Sequence, residues 1–370
     1  MRRRGLLAAG GCLFAMGSAG CLESLRREDA WRKLVVNPPE GVYVPSHADG
    51  MVTYGRTTAD GRAISLLASR PHSFWTVAGT ERSRADVRSR HDLHLMVEVR
   101  DAETGVIVPA PVTTRVRRSE PNGGTDDRTD ERSLWPMLSQ RMGPHYGDNV
   151  PLEGEGTYTA TVEVGPMNPD ANGARFDALE EPTAVDFEFE YDETEIDGLE
   201  RRLIDEDEGR GEPGALEPMA DHAGHEHDDG HEHDDATIES AFDGEVATRL
   251  GSKTSDDIGY TVALVAADER DGTESQSLVV TVRTAHNQYP LPFASLAASV
   301  LWDGERIADA SLREAVGSRV GHHYRTPVET SILEEGDELS VGLERPPQVA
   351  RHEGYETAFF DAKTVTMALE

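Results

Sequence analysis

The sequence predicts an all-β chain: two tandem immunoglobulin-like β-sandwich domains joined by a disordered linker rich in His, Asp and Glu. Three observations lead there. Residues 134–150 align without a gap on residues 312–328, matching Leu134 with Leu312, Arg141 with Arg319, Gly143 with Gly321, His145 with His323, Tyr146 with Tyr324 and Val150 with Val328. A repeat at this spacing fixes a two-copy architecture before any strand is assigned. Short apolar–polar alternations recur in both halves, as in residues 93–99, 158–164 and 185–191, then 277–283 and 364–367, and this period of two reads as half-buried strands. No long 3.6-periodic stripe competes, so helix is expected to be minor.

Taken in order, residues 1–20 read as an export signal. Arg2-Arg3-Arg4 precedes an apolar stretch from Leu6 to Ala19 that is too short to span a membrane permanently. Arg3-Arg4-Gly5-Leu6-Leu7 resembles a twin-arginine signal, and Ser18-Ala19-Gly20-Cys21 resembles a lipobox with Cys21 as the lipidated residue. The protein is therefore expected to be exported and lipid-anchored to the outer face of the cytoplasmic membrane. Cys12, the only other cysteine, lies inside the signal, so no structural disulfide is expected.

Residues 21–50, with Pro38-Pro39 and Pro45, read as a lipidated tether. Residues 51–202 form the first predicted sandwich and residues 238–370 the second, diverged copy. Between them, residues 203–237 bury too little apolar surface to offset their chain entropy and are expected to be disordered. His222, His225, His227, His231 and His233 alternate there with acidic residues, a polydentate surface for zinc, nickel or copper. A solvated charged linker is the plainer reading of the same segment.

In 370 residues the formal net charge is −33, and lysine occurs only at Lys33, Lys253 and Lys363. Such a charge excludes nucleic acid as a partner, because the phosphates would be repelled. It is tolerated where salt shortens the screening length and so fits a high-salt environment.

Within the first copy the chemically useful side chains are His94 on a strand, Met137 after Trp135-Pro136, and His145 in the Gly-x-His-Tyr run. Two imidazoles with a thioether suit copper, and imidazole with carboxylate or water suits iron. By spacing alone, a packed methionine and a half-exposed strand histidine explain the same residues.

The order His94-Leu95-Met96-Val97-Glu98-Val99, Trp135-Pro136-Met137, Gly143-Pro144-His145-Tyr146-Gly147-Asp148-Asn149-Val150 and Gly156-Thr157-Tyr158 resembles the periplasmic high-affinity iron-transport family. These are immunoglobulin-like proteins that bind copper and iron. The resemblance spans most of residues 60–195 and continues more faintly in the second copy through His323-Tyr324 and Arg351-His352. It implies a site of strand histidine, loop methionine, the Gly-Pro-His-Tyr histidine and a later histidine after an arginine. The first three fall on His94, Met137 and His145. For the fourth, the first copy offers Arg175 followed by Phe176, which cannot bind metal. The second copy keeps His323 and His352 but has Ser277 and Ala315 at the strand and methionine positions.

Because the family is implied to be homodimeric, the tandem chain can pair as an intramolecular pseudo-dimer or as a homodimer, with His94, Met137 and His145 completed from the other domain. One working site in the first domain is expected, with His322, His323 and His352 as a lesser candidate site. The leading functional reading is capture of iron or copper for a membrane metal permease, without catalysis. A metal-free adhesion module and a cuprous or ferrous oxidase are the competing readings.

Overall fold

In the computed structural model the described residues are 36–119, 125–172, 178–219, 247–266, 276–303, 305–317, 320–328 and 336–369. Nearly all regular structure among them is strand, arranged as two β-sandwiches. Cys21 and the histidines between 222 and 233 lie outside the described residues.

In the first sandwich, strands Val52–Ala59, Arg62–Ser69, Leu93–Asp101, Gly143–Val150 and Trp135–Ser139 lie side by side in one sheet. They face a four-stranded sheet of Thr183–Tyr191, Gly156–Val164, Val112–Ser119 and Thr125–Ser133. Alternation decides what each strand buries. From Leu93–Asp101, the side chains of Leu93, Leu95, Val97 and Val99 enter a core shared with Tyr158, Val162, Phe187 and Phe189. His94, Met96 and Glu98 leave the opposite face, and all three are nonetheless buried. A strand buried on both sides needs a second covering layer, and the second half of the chain supplies it.

The second sandwich repeats the plan. Ala247–Ser255, Ile258–Ala266, Gln276–Thr284 and Gly321–Val328 run side by side, and the thirteen-residue strand Glu305–Gly317 bonds Gly321–Val328 at one end and Ser295–Trp302 at the other. That strand switches layers near Leu312, as the first copy does between Thr125–Ser133 and Trp135–Ser139 around Leu134. Registers coincide: Tyr146 lies opposite Val97 and His145 opposite Met137, while Tyr324 lies opposite Val280 and His323 opposite Ala315.

The repeated Gly-x-His-Tyr run is explained by the same bonds in both copies. Gly143 and Gly321 take φ of +73° and +72°, a region that glycine enters without strain. Each tyrosine hydroxyl accepts from a backbone N–H, of Ala110 or Ala294 at 2.9 Å, and donates to the carbonyl of Val108 or Leu291. Each histidine donates from Nδ1 to the carbonyl of its glycine at 2.9 Å.

The two halves interlock reciprocally. Leu138 packs into the second core, and its counterpart Val316 packs into the first. Strand Ala350–Arg351 lies parallel to Trp135–Ser139, with Ala350 opposite Met137, and antiparallel to Phe74–Ala78. Its counterpart Asp170–Asn172 runs parallel to Glu305–Gly317, with Asp170 opposite Ala315. These reciprocal contacts describe a pseudo-two-fold within one chain.

Two expected boundaries differ. The tether was expected to reach residue 50, yet Val42 and Tyr43 are buried, and strand His47–Asp49 pairs with Arg201–Leu203. The linker was expected to begin at 203, yet Ile204 is fully buried, and backbone bonds tie Val44 to Gly211 and Glu212 and Met219 to Arg141. In both stretches a few apolar residues are buried, which average composition does not register.

Asp49 fastens this clasp, accepting from Arg201 Nε at 2.6 Å and Nη2 at 2.9 Å, with Arg70 and His47 each 3.5 Å away. Burial alone would raise its carboxyl, but hydrogen bonds from His47 and Arg201 hold it well below the usual carboxylate range. A depressed carboxyl stabilises the fold fully above the unfolded value of about 4 and loses that contribution as pH falls through the folded value. Asp49→Asn is therefore expected to lower stability at neutral pH by about 1 kcal/mol after solvent screening. It should also flatten the acid limb of stability against pH in denaturant titrations; an unchanged acid limb would remove Asp49 from this role.

Candidate metal centre

The outer face of the first sheet carries His94 from Leu93–Asp101, Met137 from Trp135–Ser139, and His145, Gly147 and Asn149 from Gly143–Val150. The loop before Phe74–Ala78 adds His72, and the residue after Ala350–Arg351 adds His352 from the second half. The rings crowd together. Centroids of His72 and His94 are 4.0 Å apart, His72 and His352 4.6 Å, His145 and His352 5.5 Å, and His94 and His352 6.3 Å.

Hydrogen bonds on the far side of three rings set their tautomers. His94 Nδ1 donates to Asn149 Oδ1 at 3.1 Å, His145 Nδ1 to the Gly143 carbonyl, and His72 Nδ1 to the Arg70 carbonyl at 3.3 Å. Each bond leaves Nε2 as the lone-pair nitrogen, the arrangement a metal-ligating imidazole requires. Asn149 also accepts from the His72 backbone N–H and donates to the His72 carbonyl at 2.9 Å, so one amide places two imidazoles.

The Nε2 atoms of His72, His94 and His352 are buried without hydrogen-bond partners. An unsatisfied buried polar atom costs about 1–3 kcal/mol, so three in one place make this a candidate receiving site; in the second half His323 Nε2 is the corresponding buried atom without a partner. Burial holds these imidazoles neutral: His72 is pushed down to about 4, and His94 and His352 fall well below their ordinary value, by burial first and then by the neighbouring rings. A β-carbon on Gly147 would lie 2.8 Å from His94 Nε2 and 2.8 Å from Met137 Sδ, so glycine is what leaves room there.

As they stand the rings stack on one another, and among the described residues no three His, Cys, Asp or Glu side chains form a ready cage. The orphaned nitrogens weigh more than the stacking. The Nε2 atoms of His72, His94 and His352 have no other hydrogen-bond partner.

The loop that brings His352 is rigidly held. Arg351 is fully buried, donates to the carbonyls of Ala358 and Pro347, and lies over the rings of Phe359 and Phe360 at 5.0 and 4.5 Å. The His352 N–H continues the ladder to the Leu138 carbonyl.

His94, Met137, His145 and His352 therefore meet, and His352 does not join His322 and His323 as the expected lesser site had it. His323 lies in the second sandwich beside Ala315, with Nδ1 on Gly321, while His322 Nε2 is 2.7 Å from Glu314. The counterpart of His352 is also corrected. Since Ala350 pairs with Met137 as Asp170 pairs with Ala315, two residues on give Asn172 by register; Arg175 and Phe176 lie outside the described residues. His72 was missed, because it sits in an Arg-Pro-His loop outside the repeat; its one signal was a histidine three residues beyond the end of strand Arg62–Ser69.

The fold is a β-sandwich with a candidate metal centre of imidazoles and a thioether on the outer face of its first sheet. Residues 88–193 match the model of the Fe2+ transport protein family, which bears out the family resemblance for the first sandwich, and residues 242–368 match a domain of unknown function, DUF7350. Two solved structures are similar, both of FetP from a uropathogenic Escherichia coli strain. One is a copper-bound variant, at 19% identity over 38% of this chain and 97% of that chain with a TM-score of 0.28. The other is the as-isolated protein, at 18% identity over 39% and 95% with a TM-score of 0.28. No curated protein matches.

Gly147→Ala is expected to keep the fold and lower metal affinity by at least tenfold, because its methyl group occupies the space between His94 and Met137. Calorimetric titration with near-ultraviolet circular dichroism checks both halves of that statement. Undiminished affinity would place the ion elsewhere.

Proposed function

We propose that this protein captures iron or copper outside the cytoplasm and releases it to a membrane metal permease, with lipid at Cys21 keeping it near that partner. The observation that carries the reading is the set of buried, unpartnered imidazole nitrogens converging with the Met137 thioether at the seam between sandwiches. Neutral imidazoles and a thioether take a soft or borderline transition metal, and the Fe2+ transport family match supports transport as the purpose. In this reading His94, Met137, His145 and His352 hold the ion, His72 stands as a further ligand, and His323 takes no part. The histidines at 225, 227, 231 and 233 gather metal, zinc or nickel included, and raise its local concentration. No helix among the described residues is long and apolar enough to cross a membrane.

The test is metal titration in high salt of the chain lacking residues 220–236, with copper and ferrous iron in turn. One tightly held ion per chain is expected, lost at least a hundredfold in His145→Ala and equally in His352→Ala, and untouched in His323→Ala. A chain that binds neither metal would overturn the reading in favour of an adhesion module. Oxygen consumption with ferrous iron would point instead to an oxidase; none is expected.

A further inference from the structure

The two halves provide an internal control for every residue near the seam. Leu67 pairs with Met96 as Ala263 pairs with Val279, and Thr53 pairs with Leu67 as Arg249 pairs with Ala263, each just before a register shift at Gly55 or Gly251. Met51 therefore corresponds to Ala247 and Met96 to Val279. Met142, which precedes Gly143, corresponds to Val320, which precedes Gly321. In the first half Leu67, Met96 and Met142 form a buried cluster with Met51 packed against it. At the same place in the second half, Ala263 and Val279 cluster with Ala247, Val265 and Val320.

Three thioethers thus stand where the half without the imidazole site has Ala, Val and Val. Packing asks only for volume, and the second half fills the place with aliphatic groups. The three methionines also share a cleft of ≈ 120 Å³ whose lining includes His72 and His352, and Met96 leaves the same face of its strand as His94. Asp49, Glu353 and Glu356 also line the cleft, but the three thioethers cluster together on one part of its wall, and that part is suited to one class of ligand. Thioethers are soft, uncharged donors that take cuprous-type ions and leave zinc and magnesium hydrated.

We propose that Met51, Met96 and Met142 form a second metal site, for a soft monovalent cation of the cuprous type, in the cleft that opens onto the imidazole centre. The proposal rests on the reading of that centre as a metal site only for its purpose, not for its chemistry. An ion held by three thioethers passes to the imidazoles by exchange of neutral ligands, with no proton or electron transferred.

Silver ion is the probe, since it mimics cuprous ion without redox chemistry. The full chain is labelled with ¹³C at its methionine methyls, and the signals are assigned by single Met→Leu variants. In a His94→Ala/His352→Ala chain, one equivalent of silver is expected to shift the signals of Met51, Met96 and Met142, and zinc to shift none of them. In the otherwise unchanged chain, Met96→Leu/Met142→Leu, which conserves volume, is expected to weaken silver binding about tenfold. If silver shifts only Met137, the imidazole centre stands and the thioether site is overturned. If silver shifts the three methionines while copper and iron leave the imidazoles untouched, the thioether site stands and the proposed function falls.

Discussion

The site depends on one constraint, the insertion of Ala350–Arg351 between Trp135–Ser139 and Phe74–Ala78. Two residues in a strand add little hydrogen bonding, but the inserted segment joins Phe74–Ala78 to the first sheet and ends at His352, on the sheet's outer face. With it, His352 is delivered next to His72, His94 and His145 at a depth that the first sandwich could not reach alone. The buried Arg351 fixes the insertion from within. Its guanidinium is bonded to carbonyls and covered by two phenylalanine rings, and burial pushes it down to about 9.

The centre runs against the ordinary economy of a core. Imidazole nitrogens without partners destabilise the fold by about 1–3 kcal/mol each, and the neighbouring rings oppose protonation of one another. Such a cluster persists only where the surroundings over-determine it: Asn149 holds the His94 ring and the His72 backbone, the Arg70 carbonyl holds the His72 ring, Gly143 holds the His145 ring, and Arg351 holds the strand before His352. In His72 and His94 these partners lie on the Nδ1 side and leave Nε2 without a hydrogen bond, as a metal-ligating imidazole requires.

Much of this was legible in the sequence, and the parts that were not share a cause. The repeat, the strands at 93–99 and 277–283, and His94, Met137 and His145 follow from period and motif, which are local properties. Tyr146 and Tyr324 were legible as a pair for the same reason, since both satisfy backbone groups of their own sandwich. His72 was not, because its role comes from contact with Asn149 and His352 across loops with no counterpart in the repeat. Nor was the pairing of His352 with the first site, because it depends on which copy's strand crosses the seam. The stretches 42–49 and 203–219 read as polar tether and linker on composition, yet their sparse apolar residues, Val42, Tyr43 and Ile204, settle where they lie.

The pseudo-two-fold explains why one site survives rather than two. Symmetric exchange of edge segments creates two seams, and each seam brings three corresponding positions from one half together with a fourth from the other. In the first seam these are His94, Met137, His145 and His352; in the second they are Ser277, Ala315, His323 and Asn172. Once both halves share one chain, the positions that serve different seams no longer have to change together. Residue 352 can be kept for the first seam while 277 and 315 drift, and 172 can drift while 94 and 137 are kept. His323 keeps in the second seam the bond to its glycine that His145 makes in the first, so this histidine serves the turn in both copies whatever stands at the other three positions.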